Sequence, residues 1–136
     1  VMVDLATANV PGARFVRADV REWTSPPESW DAVCAYFSFL QMPRADTEAV
    51  LGAIASWLVP GGYLSFVTVP MDVENVPVEF LGHRVELISF SAEAIEATIV
   101  RAGLRVVSTH SELFEPHEPD AAPEEHLLIT ARRSAA

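Results

Sequence analysis

Hydrophobic positions along the chain fall into short blocks separated by proline- and glycine-rich breaks, and the spacing inside each block predicts its element. The opening "VMVDLATANVPG" carries helix formers through Ala8 and then meets Asn9, Pro11 and Gly12, which stop a helix. With no cap before it and valine in first place, the stretch reads as a chain cut inside a helix. Phe15 and Val16 centre a short strand from Ala13 to Ala18 that ends in Asp19, and a loop follows with Trp23 and the breaker "SPPES". "WDAVCAYFSFL" from Trp30 is apolar with little alternation, the pattern of a strand covered on both faces as in a parallel sheet.

From Arg44 to Leu58 the pattern changes period. Val50, Leu51, Ile54, Trp57 and Leu58 fall on one stripe of a helix, with Asp46 and Glu48 near its positive N-terminal end. "VPGG" (Val59 to Gly62) breaks that helix, and "YLSFVTV" predicts a strand through Val69. A loop-rich insertion runs from Pro70 to about Ser89, in which "HRVELISF" predicts a short edge strand. Ser91 is a good N-cap for a helix over Ala92–Ala102, with Ile95, Ile99 and Ala102 inward and Gly103 closing it. "LRVVSTHSELF" and "HLLITARR" predict two strands with only a polar loop between them, hence an antiparallel pair. No internal repeat is present. Helices alternating with strands in this order argue for a three-layer α/β domain with a mostly parallel sheet, closed by an antiparallel strand.

Composition narrows the chemistry. The chain has 136 residues, half of them apolar, enough for one domain with a real core. Nine Lys and Arg stand against nineteen Asp and Glu, a formal charge of -10, so a phosphate backbone or an anionic membrane surface is repelled. Nucleic acid and membrane are therefore not expected partners. The single cysteine, Cys34, excludes an intrachain disulfide; inside an apolar run it reads as a small buried hydrophobe rather than a nucleophile. No stretch is long and apolar enough to span a bilayer and no signal peptide is visible, so a cytoplasmic protein is expected.

Five segments in order resemble the class I S-adenosylmethionine-dependent methyltransferases. "ARFVRADV" is similar to that family's third strand with its acidic end, and "WDAVCAYFSFLQMPR" to its fourth strand and following loop. "WLVPGGYLSFV" resembles the turn before the fifth strand, "SFSAEAIEATIVRAGLRVV" the helix and turn before the sixth, and "EEHLLITARR" the seventh. The resemblance implies a Rossmann-like fold whose first two strands, with the glycine-rich cofactor loop, are missing. Residues 1–136 then correspond to the domain from the helix after strand 2 to strand 7. Gly61 and Gly62 do not replace the cofactor loop, because they follow a helix and precede a strand. On this reading the chain by itself binds cofactor poorly, and its missing segment, or another chain, fills the gap in the sheet.

The resemblance also implies roles. In α/β sheets ligands bind beyond the carboxyl ends of the strands. There Asp19 would accept a hydrogen bond from the adenine amine of S-adenosylmethionine, and the Val20 N–H would meet a ring nitrogen; the plain alternative for Asp19 is a turn cap. Ala35, Tyr36 and Phe37 would run beside the methionine part of the cofactor, the two aromatic rings reading equally well as core. Gln41, where many relatives carry histidine, is a polar contact or rim residue, and Asp31 is structural. Met71, Phe80 and His83, in the insertion, would line the pocket of a small-molecule acceptor, with His83 as a weak candidate base and no other catalytic residue named. His110, His117 and His126 lie among Glu112, Glu115, Glu118, Asp120, Glu124 and Glu125 without metal-ligand spacing, so no metal is expected and His126 reads as edge decoration.

The function implied is methyl transfer by in-line displacement, for which alignment matters more than a base. Its main competitor is a non-catalytic methyltransferase-like assembly module whose Asp19 strand is exchanged with a partner, a homodimer included. A nicotinamide-binding Rossmann enzyme is a weaker third reading, because no dinucleotide fingerprint is present.

Overall fold

A computed structural model describes residues 1–80, 82–117 and 122–135. In chain order the elements are α1 (Met2–Asn9), β1 (Trp30–Tyr36), α2 (Arg44–Trp57), β2 (Leu58–Thr68), β3 (Val76–Phe80), β4 (His83–Leu87), α3 (Ala92–Arg101), β5 (Leu104–Phe114) and β6 (Glu124–Arg133). Four strands form one sheet in the order β1-β2-β6-β5, and β3 pairs with β4 in a separate hairpin. β1 runs parallel to β2, with Tyr36 opposite Val67. β6 lies antiparallel between β2 and β5, with Ile129 opposite both Phe66 and Thr109.

Periodicity explains the core. α2 buries Thr47, Val50, Leu51, Ile54, Ala55 and Trp57, one stripe at helical spacing. α3 buries Ile95, Thr98 and Ile99, and its N-cap Ser91 accepts a hydrogen bond from the Ala94 N–H at 3.2 Å. Gly103, at φ +95°, closes α3 in the left-handed region. In β2 and β6 the buried residues alternate: Leu64 and Phe66 on one strand, Leu127, Ile129 and Ala131 on the other. These inward residues and the two helices make one hydrophobic cluster.

Several expectations are corrected. The sheet is mixed: β1, β2 and β5 run in one direction and the last strand, β6, runs against them, so both of its pairings are antiparallel. Two layers are seen among the described residues instead of three: α1 is short, buries no residue and leaves the second sheet face open. The strand expected over Ala13 to Ala18 does not form, since an extended segment becomes one only by pairing and this one has no ladder partner among the described residues. β1 is an edge strand with only Ala35 buried, so the expectation of cover on both faces fails and Cys34 is exposed. The insertion holds two strands rather than one.

That insertion is fastened over the ends of β1 and β2. The Arg44 guanidinium donates to the Ser89 carbonyl at 2.7 Å and to the Asp72 carboxylate at 2.8 Å, and lies over the Phe90 ring. The Ile88 N–H donates to the Leu40 carbonyl and the Ser89 N–H to the Val73 carbonyl, both at 2.8 Å. The hairpin is thereby held against the loop that leaves β1.

Gly62 marks a second constraint. A Cβ there would lie 3.0 Å from the carbonyl oxygens of Asp31 and Val59 and 3.3 Å from that of Trp30. These are backbone atoms, so relief requires β1 and β2 to separate. Gly62→Ala is expected to destabilise the fold by about 1–3 kcal/mol in a urea titration, the usual cost of over-packing. Gly12→Ala, where a Cβ meets nothing within 4 Å, is the control that leaves the midpoint in place.

Candidate functional site

Parallel strands present their carboxyl ends at one rim, and the antiparallel β6 brings its first residues to that same rim. The site is built from the chain leaving β1 (residues 37–42), the chain leaving β2 (69–71), the start of β6 and the segment around Asp19. Two cavities open there.

The first, about 790 Å³, is polar and is lined by Asp19, Val20, Arg21, Ser38, Gln41 and Met42 among others. The Asp19 carboxylate is engaged. Arg21 donates to it from Nε (3.0 and 3.1 Å) and from a terminal nitrogen (2.6 Å), and the Arg21 N–H donates to Oδ1 at 2.9 Å. These bonds, the side-chain ones first, lower the Asp19 pKa from 3.8 to about 2 and raise that of Arg21. Arg21 also reaches Asp46 at 3.3 Å, at the start of α2. The bond to the Arg21 N–H is an Asx-type turn, so the capping role of Asp19 coexists with its place in a cavity wall.

The second cavity, about 490 Å³, is apolar. Phe37, Leu40, Val69, Met71 and Phe80 line it with residues of β3 and β4, and Gln41, Glu124 and His126 supply its polar atoms. Gln41 thus stands in the wall of both cavities. Phe37 adopts φ +51°, an uncommon conformation for an aromatic residue, while its N–H donates to the Val67 carbonyl at 2.9 Å. Its ring meets that of His126 edge-on, with centroids 4.8 Å apart.

The expected cofactor residues are therefore divided. Asp19, Val20 and Gln41 share the polar cavity, whereas Phe37 belongs to the apolar one. Ala35 is buried in the core, and Tyr36 points its hydroxyl to Ser65, 3.0 Å away. Of the expected acceptor residues, Met71 and Phe80 line the apolar cavity. His83 does not: it sits opposite Phe80 in the hairpin register and is exposed, so the structure gives it no place in either cavity.

His126, read from the sequence as edge decoration, and Glu124, read as part of a solvated acidic loop, both stand in the wall of the apolar cavity. His126 Nε2 lies 2.8 Å from the Glu124 carboxylate, and its ring stacks on Phe114 at 4.9 Å. Position was the available signal: the start of an antiparallel closing strand falls at the ligand rim. The other acidic-loop histidines gather no metal set among the described residues; Glu118 and Asp120 lie outside those residues. Among the described residues no helix is long and apolar enough to cross a membrane.

Residues 1–62 match the family model of the methyltransferase domain. No curated protein is significantly similar in sequence. Among solved structures the chain resembles an S-adenosylmethionine-dependent methyltransferase of Methanosarcina mazei at 11% identity, with a TM-score of 0.78 over 98% of this chain and 78% of the other. It resembles one of Mesorhizobium loti at 19% identity, with a TM-score of 0.65 over 95% and 75%. A third similar structure is the 1,6-didemethyltoxoflavin-N1-methyltransferase of Burkholderia thailandensis with bound 1,6-didemethyltoxoflavin and S-adenosylhomocysteine. It is 19% identical, with a TM-score of 0.70 over 98% of this chain and 56% of that enzyme. At such identities the likeness is one of fold. The sequence match to a methyltransferase domain thus covers residues 1–62, and over the length of the chain the likeness is to the fold of S-adenosylmethionine-dependent methyltransferases.

Proposed function

We propose that the protein transfers a methyl group from S-adenosylmethionine to a small-molecule acceptor, the cofactor lying on the Asp19 side of Gln41 and the acceptor on the Met71 side. The observation that carries this reading is the pair of cavities, one polar and one apolar, that share Gln41 at the carboxyl end of β1. The donor set of the polar cavity suits an adenosyl group: an acceptor-only carboxylate for the amine, with hydroxyl and amide side chains beside it. Asp19 and Val20 hold the adenine, Gln41 marks the boundary, and the backbone of Ala35 to Phe37 flanks the methionine part. S-adenosylmethionine supplies an activated methyl group on sulfur. What remains for the chain is to align the acceptor for in-line attack and to exclude water, and an apolar cavity does both.

Titration of the ¹⁵N-labelled protein with S-adenosylhomocysteine up to millimolar concentration, enough to populate the weak complex expected of this chain, followed by amide resonances, tests this. The amides of Val20, Ser38 and Gln41 are expected to move together and saturably. Their failure to respond would overturn the reading and favour a non-catalytic assembly module. One observation supports that second reading: an apolar groove of about 470 Å³ along the free edge of β1, lined by Val16, Ala18, Trp30, Val33 and Trp57 among others.

A further inference from the structure

We propose that His126, held by Glu124, is the proton acceptor of the methyl-transfer site, and that the acceptor molecule is a hydroxylated aromatic compound seated in the apolar cavity. The inference rests on the two-cavity reading above and specifies its acceptor side. An ionised carboxylate only accepts hydrogen bonds, so the 2.8 Å contact with Glu124 places the imidazole proton on Nε2. Nδ1 is then left with a free lone pair and has no other partner among the described residues. Phe114 stacks on the ring with an interplanar angle of 11°, and Phe37 meets it at 63°, so the ring plane is fixed from two sides. Its side chain is 18% exposed, against 49% for Glu124. The ring therefore borders the cavity while its carboxylate partner stays in contact with water.

Cavity and base together define the acceptor. A volume near 490 Å³ suits a small organic molecule, and walls of Phe37, Phe80, Met71 and Leu40 suit a flat apolar ring. A proton acceptor is useful only when the attacking atom loses a proton, as a phenolic oxygen does. As the acceptor oxygen gains the methyl group and the methyl–sulfur bond breaks with its electron pair going to sulfur, the hydroxyl proton passes to Nδ1. Glu124 stabilises the imidazolium that forms, and the proton later leaves to water.

The test uses 2-naphthol and its methyl ether, 2-methoxynaphthalene, as probes of one shape that differ in the transferable proton. With ¹³C-labelled histidine, 2-naphthol is expected to shift the His126 Cε1–H resonance saturably and to leave those of His83, His110 and His117 in place. The ether is expected to bind roughly tenfold more weakly, the loss of one good hydrogen bond. His126→Phe keeps the ring cluster and is expected to erase that preference while retaining the ether. An unmoved His126 resonance, or equal affinity for the two probes, overturns the proposal. The S-adenosylhomocysteine response at Val20 and Gln41 reports separately on the underlying function, so either can fail while the other stands.

Discussion

Ile129→Ala is expected to lower the stability of the protein by about 2–5 kcal/mol, the usual cost of a cavity where a large aliphatic side chain is fully buried. Ile129 has no solvent exposure and sits in β6 between Phe66 of β2 and Thr109 of β5. Its side chain lies in the same cluster as Leu51 and Ile54 of α2 and Ile95 and Ile99 of α3. The truncation therefore opens a void in the cluster that both helices join, and strand pairing on two sides limits how far the backbone can close the gap. Leu128, one residue earlier, faces the other side of the sheet and is 36% exposed. Leu128→Ala is expected to cost less than about 1 kcal/mol, in keeping with a partly exposed position. Urea titrations of the two variants read the comparison directly. If Leu128→Ala proved the more damaging, the principal core would lie on the face that α2 and α3 leave open.

The same alternation explains which parts of the fold are legible in the sequence. α2, α3, β2 and β6 each bury one stripe or one face against the others, so their periods of 3.6 and 2 are written plainly in Val50–Leu58, Ile95–Ile99, Leu64–Phe66 and Leu127–Ala131. β1 is apolar for a different reason. Its run from Trp30 to Tyr36 imitates a doubly covered strand, yet it lies at the sheet edge with Trp30 47% and Tyr36 53% exposed. Residues 14–19 have strand chemistry without a pairing partner, and composition alone does not supply one. β3 escapes notice because Pro77 interrupts a short stretch, and Pro belongs at a sheet edge, where this hairpin places it. For the site, the position of Asp19 after an apolar run suffices to bring it to a cavity. His126 carries a weaker signal: Glu124 is two residues away on the same strand, but Phe114 reaches it only through the β5–β6 pairing and Phe37 only because β6 starts at the rim where β1 ends. Arg21 is two residues from Asp19, and the bond between them depends on a turn that the sequence does not announce.

Asp19→Asn is expected to weaken binding of S-adenosylhomocysteine roughly ten- to a hundredfold, whereas Arg21→Ala changes it only a few-fold. In the proposed pose the carboxylate accepts from the adenine amine; an amide has one oxygen to offer and can present a donor to a donor. Arg21 already binds both carboxylate oxygens, so the ligand must share them or displace it. The side chains of Arg21 and Asp19 are 50% and 38% exposed, and an ion pair so open to water and salt is given up at little cost. The pH dependence separates the two residues. With its pKa lowered to about 2, chiefly by the Arg21 side chain, Asp19 is ionised at every pH well above that value. The contribution of a depressed carboxyl is present above its unfolded pKa and is lost as pH falls through the folded one. Wild-type binding therefore does not vary through Asp19 between about pH 8 and pH 4. Removing the guanidinium lets the carboxyl return toward its ordinary 3.8, so the affinity of Arg21→Ala begins to fall near pH 4 while remaining close to wild type at pH 7. Isothermal titration calorimetry at the two pH values measures both effects. Equal losses in the two variants at neutral pH would mean that the guanidinium, not the carboxylate, meets the ligand, and the adenine would then have to lie on the Arg21 side of the pair.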